Sequence, residues 1–279
     1  MRIENAFAAC EETVRRHDPD RYLSALFAPA ERRPLLFALY AFNHEIARVA
    51  EAVREPMLGD IRLQWWREAV DSARDGCPRD HPVVLAIAEF FARTGVALAL
   101  FEELIDARAQ DGSAETFADW AALEAYGDAT AGGVMRIAAR VLGAEDALDE
   151  QARSLGIAYA LTGLLRSLPF HAARGKLALP RDAMEAKGLS REEMFAGQGG
   201  DALKRVMGAV ALRAHEHLGA ARALPKPRRG LAALLPASTC RAYLKLMTKP
   251  GFDPFVTPAE LPLYRRQLAM LGASLCRRI

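Results

Sequence analysis

The residues whose side chains are best suited to binding or catalysis lie near the end of a predicted helix. His44, Arg48, Glu51 and Glu55 follow one another at spacings of three and four, which places them on one face of an α-helix. One interpretation is a binding surface that combines a cation, two carboxylates and an imidazole. The other is a solvated face with an Arg48–Glu51 pair worth about 0.2–0.5 kcal/mol. Local spacing leaves both interpretations open.

Four further segments combine residue types that binding sites use. They are Arg62–Glu68 with two tryptophans, Glu102–Asp111 with acidic residues near a helix end, Tyr126–Val134 with small residues, and Leu164–Asp182 with a basic connector. Adjacent tryptophans usually pack in a core. Small residues permit either close helix packing or entry of a bulky apolar ligand. The connector cations are either solvated charges at a helix end or contacts for a phosphate or an acidic partner.

Common catalytic motifs are missing from the sequence. It contains no GxSxG, HExxH, GxxxxGK[ST] or GxGxxG pattern. The six histidines are scattered, and His215 and His217 are two positions apart, so they do not face the same way on a helix. We therefore predict no metal site and no catalytic nucleophile from local motifs.

Composition excludes several classes of protein. The chain has 279 residues, of which 51% are hydrophobic and 26% charged, with a net charge of +2. These values exclude a disordered chain, a collagen and a disulfide miniprotein, and the near-neutral charge argues against nucleic-acid binding. The four cysteines form no CxxC pair, so we expect reduced and mostly buried thiols.

The apolar stretches indicate core helices. The N-terminal 16 residues contain three glutamates and no apolar segment, unlike a secretory signal. The stretch Val83–Ile105 is interrupted by four charged residues, so it is predicted to be a core helix rather than a membrane span. We expect a cytoplasmic protein, and peripheral contact with the inner membrane is compatible with this pattern.

Helical periodicity dominates the chain, and no sustained period-two pattern predicts a strand. Leu35, Leu39, Phe42, Ile46, Val49 and Val53 form one apolar helix face. Further predicted helices cover Ile61–Arg74, Pro82 to about Asp106, Phe117–Leu142 with a stop at Gly143, Ala147–Ala173, a short helix capped by Ser190 and Glu193, Asp201–Leu224, Leu231–Met247 and Pro262–Cys276. Short links between them favour a single all-α domain over residues 1–279.

In their order and spacing, these elements together resemble the squalene/phytoene synthase family. The segments that carry the resemblance are Tyr40–Phe42, Arg62–Trp66, Ile105–Asp106, Tyr126–Val134, Leu165–Arg166 and Leu179–Asp182. The resemblance covers about residues 20–275. It implies an isoprenoid synthase fold, an antiparallel helix bundle around a central cavity, and head-to-head condensation of two prenyl diphosphates.

The magnesium-binding positions of that family carry different residues in this chain. The family's first aspartate-rich motif falls on Ala47, Arg48 and Glu51, and its second falls on Ser167 and His171. In the family these aspartates hold Mg²⁺, which bridges to the substrate diphosphate and prefers oxygen ligands. These departures from the family pattern predict that metal-triggered ionisation of a diphosphate is lost, and we expect neither a metal nor another cofactor.

Three patterns are similar to the subfamily of the mitochondrial complex I assembly factor, a non-synthase branch. They are Ala41–Glu45, Gln64–Val70, and Leu164–His171 followed by Arg174–Pro180. This resemblance implies a catalytically degenerate protein that acts in assembly of NADH:ubiquinone oxidoreductase, with complex I subunits or assembly intermediates as partners, or in binding a prenyl chain or another lipid. The alternative is an active Mg²⁺-dependent prenyl transferase that makes squalene or phytoene, with Glu45, Glu51, Asp106 and Asp111 as its carboxylates.

The resemblance also implies a set of residues that line the cavity or bind a ligand. They are Tyr40, Asn43, His44, Ala47, Arg48, Glu51, Gln64, Tyr126, Ala129, Gly132, Gly133, Arg166, Ser167, His171, Arg174 and Lys176. None of them is assigned a catalytic or metal-binding role. A third interpretation, a peripheral membrane module, rests on Arg265, Arg266, Arg277 and Arg278 near the C-terminal end of the sequence.

Overall fold

A computed structural model describes residues 2–53, 55–112 and 116–279 of the chain. Within these residues the protein is all-helical, with 74% helix and no strand, as the sequence predicts. The α-helices are α1 (Ile3–His17), α2 (Pro19–Ala25), α3 (Arg33–Ala47), α4 (Pro56–Arg74), α5 (Pro82–Thr94), α6 (Ala99–Arg108), α7 (Trp120–Gly127), α8 (Gly133–Val141), α9 (Asp149–Arg166), α10 (Leu168–Ala172), α11 (Arg181–Ala186), α12 (Arg191–Phe195), α13 (Gly200–Ala223), α14 (Leu231–Leu234), α15 (Cys240–Met247) and α16 (Leu263–Cys276).

The chain divides into two compact units. Unit 1 comprises Met1–Gly112, Gly133–Ala152 and Lys226–Pro236, and unit 2 comprises Ser113–Gly132, Arg153–Pro225 and Ala237–Ile279. The chain passes between them five times, so each unit is assembled from segments that are distant in sequence.

Helix α3 is the core of unit 1. Its predicted apolar face is confirmed: Leu35, Leu39, Phe42 and Ile46 are at most 1% exposed, and α1 and α5 pack against the helix. The helix ends earlier than predicted. After Ala47 the backbone tightens into a 3₁₀ turn over Val49–Glu51, so the last predicted positions leave the α-helical register.

The helix predicted from Pro82 to about Asp106 is two helices. Helix α5 ends at Thr94, and the next residue, Gly95, caps it with a left-handed backbone at φ of +64°. Helix α6 then begins at Ala99. The prediction of one continuous helix was wrong because the apolar pattern persists across this glycine.

Two other long predicted helices are also interrupted. The segment predicted from Phe117 begins at Trp120, capped by Asp119, and a π-helical turn over Asp128–Gly132 separates α7 from α8. The run predicted over Ala147–Ala173 breaks at Ser167, because Pro169 lacks the N–H that a continuing helix needs.

Unit 2 confirms the local capping signal. Ser190 accepts from the backbone N–H of Glu193, and the Glu193 carboxylate accepts from the N–H of Ser190, which is a complete capping box at the start of α12. Helix α13 covers nearly the whole predicted segment.

The prediction of one helix over Leu231–Met247 was wrong. A 3₁₀ stretch over Leu235–Thr239 separates α14 from α15, and it contains Pro236, which cannot supply a helical N–H.

The cysteines divide evenly rather than being mostly buried. None of the four forms a disulfide; Cys10 and Cys240 are buried, whereas Cys77 and Cys276 are exposed. Across the described ranges, no helix combines the length and the apolar character that crossing a membrane requires.

Candidate functional site

Arg48 and Glu45 form the first contact at the end of α3. Nη1 of Arg48 lies 3.7 Å from Oε1 of Glu45, and the arginine side chain is half exposed. One of the two interpretations of the sequence pairs Arg48 with Glu51, whereas the contact in the structure joins Arg48 to Glu45. Because α3 ends at Ala47, Glu51 lies on the following 3₁₀ turn, where it is exposed.

Asn43 connects α3 to the end of α6. Its Oδ1 accepts from Nη2 of Arg108 at 3.2 Å, and Nη1 of the same guanidinium lies 3.2 Å from Oδ2 of Asp111. Asn43 is buried, so this contact satisfies a polar side chain inside unit 1. The partners are 65 residues apart, and no local sequence pattern indicates their contact.

A second arginine–carboxylate pair joins α4 to α6. Nε and Nη2 of Arg67 donate to Oδ1 of Asp106 at 3.0 and 2.6 Å. Gln64, one turn earlier on α4, is exposed and its amide donates to Glu68 at 3.3 Å. Gln64 therefore interacts along its own helix.

The two aromatic candidates on α3 are Tyr40, which is buried, and His44, which is half-buried. Tyr40 is 1% exposed, and burial raises the pKa of its hydroxyl to about 12, partly offset by the Arg21 guanidinium over its ring. The imidazole of His44 stacks on that of His17 at 4.6 Å with a plane angle of 11°. Burial, and then the adjacent His17, lower the pKa of His44, so its neutral form is favoured.

A pocket of about 340 Å³ opens beside the Arg48–Glu45 pair in unit 1. Its wall consists of Glu45, Arg48, Val49, Ala52, Arg62, Trp65, Trp66 and His81. The ring of His81 meets both indoles edge-on, at 5.8 and 5.3 Å. Burial lowers the pKa of His81, and its Nδ1 is enclosed with no hydrogen-bond partner among the described residues. The sequence singles out the tryptophans but not His81, which directly precedes α5.

In unit 2 the small residues of the π turn serve close packing. Gly132 approaches α9 so closely that a Cβ on Gly156 would lie 2.3 Å from its Cα. Thr130 donates to the carbonyl of Tyr126 at 2.6 Å, and Ala129 lies half-buried in the same turn. Gly133, the next residue, is buried as the first residue of α8 in unit 1. Of the two interpretations of these small residues, helix packing accounts for Gly132.

Arg166 is the last residue of α9, and Ser167 directly follows it. The guanidinium carbon of Arg166 lies 3.9 Å from the centre of the Tyr243 ring, a cation–π contact. The hydroxyl of Ser167 donates to the carbonyl of Gly163 at 3.0 Å. Serine hydroxyls form this bond readily at helix ends, where carbonyls lack intrahelical partners.

His171 on α10 and Lys176 in the connector that follows it lie close together. Both line a narrow pocket of about 10 Å³, room for about one water molecule. Arg174 is exposed, with its guanidinium 3.5 Å above the ring of Phe170 and Nη1 donating to that residue's carbonyl. Within the described part of the chain, no three histidine, cysteine or acidic side chains stand close enough together to hold a metal ion.

The comparison with known proteins identifies the family. The profile described as squalene/phytoene synthase matches residues 14–268. This chain belongs to that family. Its fold is also that of a crystallised dehydrosqualene synthase, with a TM-score of 0.84, 98% coverage of this chain and 97% of the other, and 18% sequence identity.

Curated relatives in the squalene/phytoene synthase family carry two different descriptions. Human NADH dehydrogenase (ubiquinone) complex I, assembly factor 6, is 29% identical over 263 residues, covering 91% of this chain and 79% of the relative. The phytoene synthase of Mycobacterium tuberculosis is 29% identical over 280 residues, covering 98% of this chain and 83% of the relative. Overall sequence identity therefore does not distinguish between the two descriptions. The distinction has to come from the residues of the candidate site.

Proposed function

We propose that this protein is a non-catalytic member of the squalene/phytoene synthase family that supports assembly of respiratory complex I. Its similarity to the human, bovine and mouse assembly factor 6 proteins, at 29–30% identity over 88–91% of this chain, supports the role. The observation that carries the proposal is Arg48, a cation paired with Glu45 at a position where the family places a magnesium-binding aspartate.

The residues at the first magnesium position do not suit the ion. Ala47 offers no oxygen ligand, and the guanidinium of Arg48 repels a divalent cation. Glu51 supplies one carboxylate, and it lies beyond the end of α3 rather than one turn along the same helix. A single carboxylate beside an arginine is a poor match for a hard cation that needs several oxygen ligands.

The residues at the second position are unsuited as well. Ser167 directs its hydroxyl at a helix carbonyl, and His171 offers nitrogen in place of the carboxylate oxygen that magnesium prefers. The residues at both positions therefore do not fit magnesium.

Three of the four carboxylates that an active transferase would need already lie beside arginines. Asp106 binds Arg67, Asp111 binds Arg108, and Glu45 lies beside Arg48. Binding a metal would require these pairs to break. The active transferase stays the rival proposal because the Mycobacterium phytoene synthase matches 98% of this chain.

A deletion strain separates the two functions. The assembly proposal predicts a loss of NADH:ubiquinone oxidoreductase activity and of the assembled complex on native gels, while squalene and phytoene levels stay unchanged. The purified protein, incubated with Mg²⁺ and farnesyl or geranylgeranyl diphosphate, is expected to release no condensed product. Product formation at an ordinary enzymatic rate would contradict the proposal.

Glu51→Gln is the most informative variant for this comparison. Glu51 is the remaining carboxylate at the magnesium positions, so an active transferase loses activity on this change. For the assembly role we expect the variant to restore complex I activity in the deletion strain as well as the unchanged protein does. Glu55→Gln, another exposed glutamate next to the same turn, is the matched control.

A further inference from the structure

We propose that helix α16 is a docking surface for an anionic phospholipid membrane. Its outward face carries Tyr264, Leu268, Leu271 and Leu275, whose exposed fractions are 56%, 62%, 46% and 76%. Isolated exposed leucines are common on protein surfaces, but a contiguous apolar patch marks a site of interaction. The proposal does not depend on the complex I role.

The exposed stripe is a second apolar face of α16, separate from the face that packs against the rest of unit 2. Met270 and Ala273 are 0% and 8% exposed and lie about 130–170° around the helix from the centre of the stripe. Only one side of α16 therefore packs in the core of unit 2. The stripe residues recur at spacings of four, three and four, so they form one continuous row.

The charge of this segment determines which partner suits the row. Arg265 lies on α16, Arg277 and Arg278 directly follow it, and no aspartate or glutamate occurs from residue 261 onward. Arg266 lies on the packed side of the helix and is half-buried. An apolar row flanked by arginines is typical of helices that lie in the plane of a membrane interface. Arginine near the surface adds attraction to anionic lipid headgroups.

A second copy of this chain is a poorer partner for the same face. The row is about 17 Å long and consists of four side chains, whereas a stable interface buries about 800 Å² on each partner. Pairing two such helices also brings their arginines together with no carboxylates on the helix to balance them. A lipid surface meets both requirements, since it is extended and negatively charged.

Vesicle binding tests the proposal with the full chain. We expect the protein to sediment with vesicles of phosphatidylglycerol and phosphatidylcholine, more weakly as salt is raised, and not with phosphatidylcholine alone. Leu268→Ser with Leu271→Ser should weaken binding at least tenfold. Arg265→Glu with Arg278→Glu should weaken it by more than about fivefold per residue, since removing one arginine near the surface costs about 1 kcal/mol.

Leu212→Ser is the matched control, because Leu212 is also 62% exposed but stands alone on α13. Lys187→Glu with Lys204→Glu matches the charge change away from α16. Circular dichroism confirms that each variant is folded. An independent readout is a polarity-sensitive fluorophore on the exposed Cys276 in a Cys77→Ser background, whose emission should shift to the blue on vesicle addition.

Three outcomes would overturn the proposal. One is no binding to phosphatidylglycerol vesicles at low salt. Another is an equal loss of binding in the Leu212 control. The third is a dimer, seen by sedimentation, that the Leu268→Ser and Leu271→Ser changes abolish without any vesicle binding, which would assign the face to a second copy of the chain.

Discussion

Gly156 of α9 and Gly132 of the π turn meet backbone to backbone. A Cβ on Gly156 would lie 2.3 Å from both the Cα and the nitrogen of Gly132, closer than any side-chain carbon tolerates. The contact is made of main-chain atoms, which cannot move aside without shifting a helix. It fixes where the π turn lies against α9.

Gly156→Ala is expected to destabilise the protein by about 3 kcal/mol or more, because the added methyl group forces these backbones apart. Gly163→Ala, two turns along the same helix, meets nothing within 4 Å and should stabilise by about 0.5–1 kcal/mol through helix propensity. Urea unfolding followed by circular dichroism measures both. Equal effects of the two changes would show that the close approach is absent.

Arg140 binds two carboxylates at the end of α8. Its guanidinium engages both oxygens of Asp149 at 2.9 Å and Oδ1 of Asp146 at 2.6 Å, and its side chain is 20% exposed. We expect Arg140→Ala to lower the free energy of unfolding by about 1–2 kcal/mol, since these bonds are charge-assisted and partly shielded.

Lys204→Ala is the control for this prediction. Lys204 pairs with Asp201 on the surface of α13, where both side chains are mostly exposed. Solvent screens such a pair, so unfolding of this variant should be close to that of the unchanged protein. A loss at Lys204 as large as that at Arg140 would contradict the argument from burial.

The His17–His44 stack makes stability depend on pH. Burial and the neighbouring His17 and Arg48 lower the pKa of His44 below its ordinary 6.5, opposed by Glu45 and Asp18. The unfolded chain therefore binds the proton more readily than the folded chain does. This contribution is complete above about pH 6.5 and is lost as the pH falls through 6.5 towards the lowered folded pKa.

His44→Gln should make the melting temperature less sensitive to pH between about 7.5 and 5.5. His215→Gln, at an exposed position on α13, is the comparison and should leave the pH dependence as it is. Differential scanning calorimetry at several pH values provides the measurement. An unchanged pH profile in His44→Gln would remove the stack as a cause.

Thiol reactivity should divide the cysteines into two pairs. Cys77 and Cys276 are exposed and are expected to react quickly with a thiol reagent under native conditions. Cys10 is buried, and burial, aided by Glu45, raises the pKa of its thiol to about 12, so thiolate is scarce. Mass spectrometry should find two labels before unfolding and four in denaturant; rapid native labelling of Cys10 would contradict the packing of α1 on α3.

Repeating, local patterns in the sequence predict much of this fold. The apolar face from Leu35 to Ile46 and the Ser190 capping box depend on neighbours within one or two turns, and both are confirmed. Helix ends were harder to predict. Gly95 breaks a helix although glycine is tolerated inside helices, and α3 stops at Ala47 without any glycine or proline.

The side-chain partners of the candidate site could not be predicted in the same way. The Asn43–Arg108 and Arg67–Asp106 contacts join residues 65 and 39 positions apart, so they depend on how helices pack. The close packing of Gly156 could not be predicted from the sequence either, because it depends on which backbone lies against this glycine. The family resemblance supplied the candidate positions, and the structure supplied what each one contacts.

The division of unit 1 into three segments has a consequence for how the protein is made. Its closing segment includes Gly230, whose left-handed backbone passes so near α8 and the following turn that a Cβ would lie 2.8 Å from Ala144. A ribosome adding about 5–20 residues per second needs about 6–24 s to advance from the end of the first segment to this one. During that interval the surface of α2 that α14 later covers stays open, which is when a chaperone has access to it.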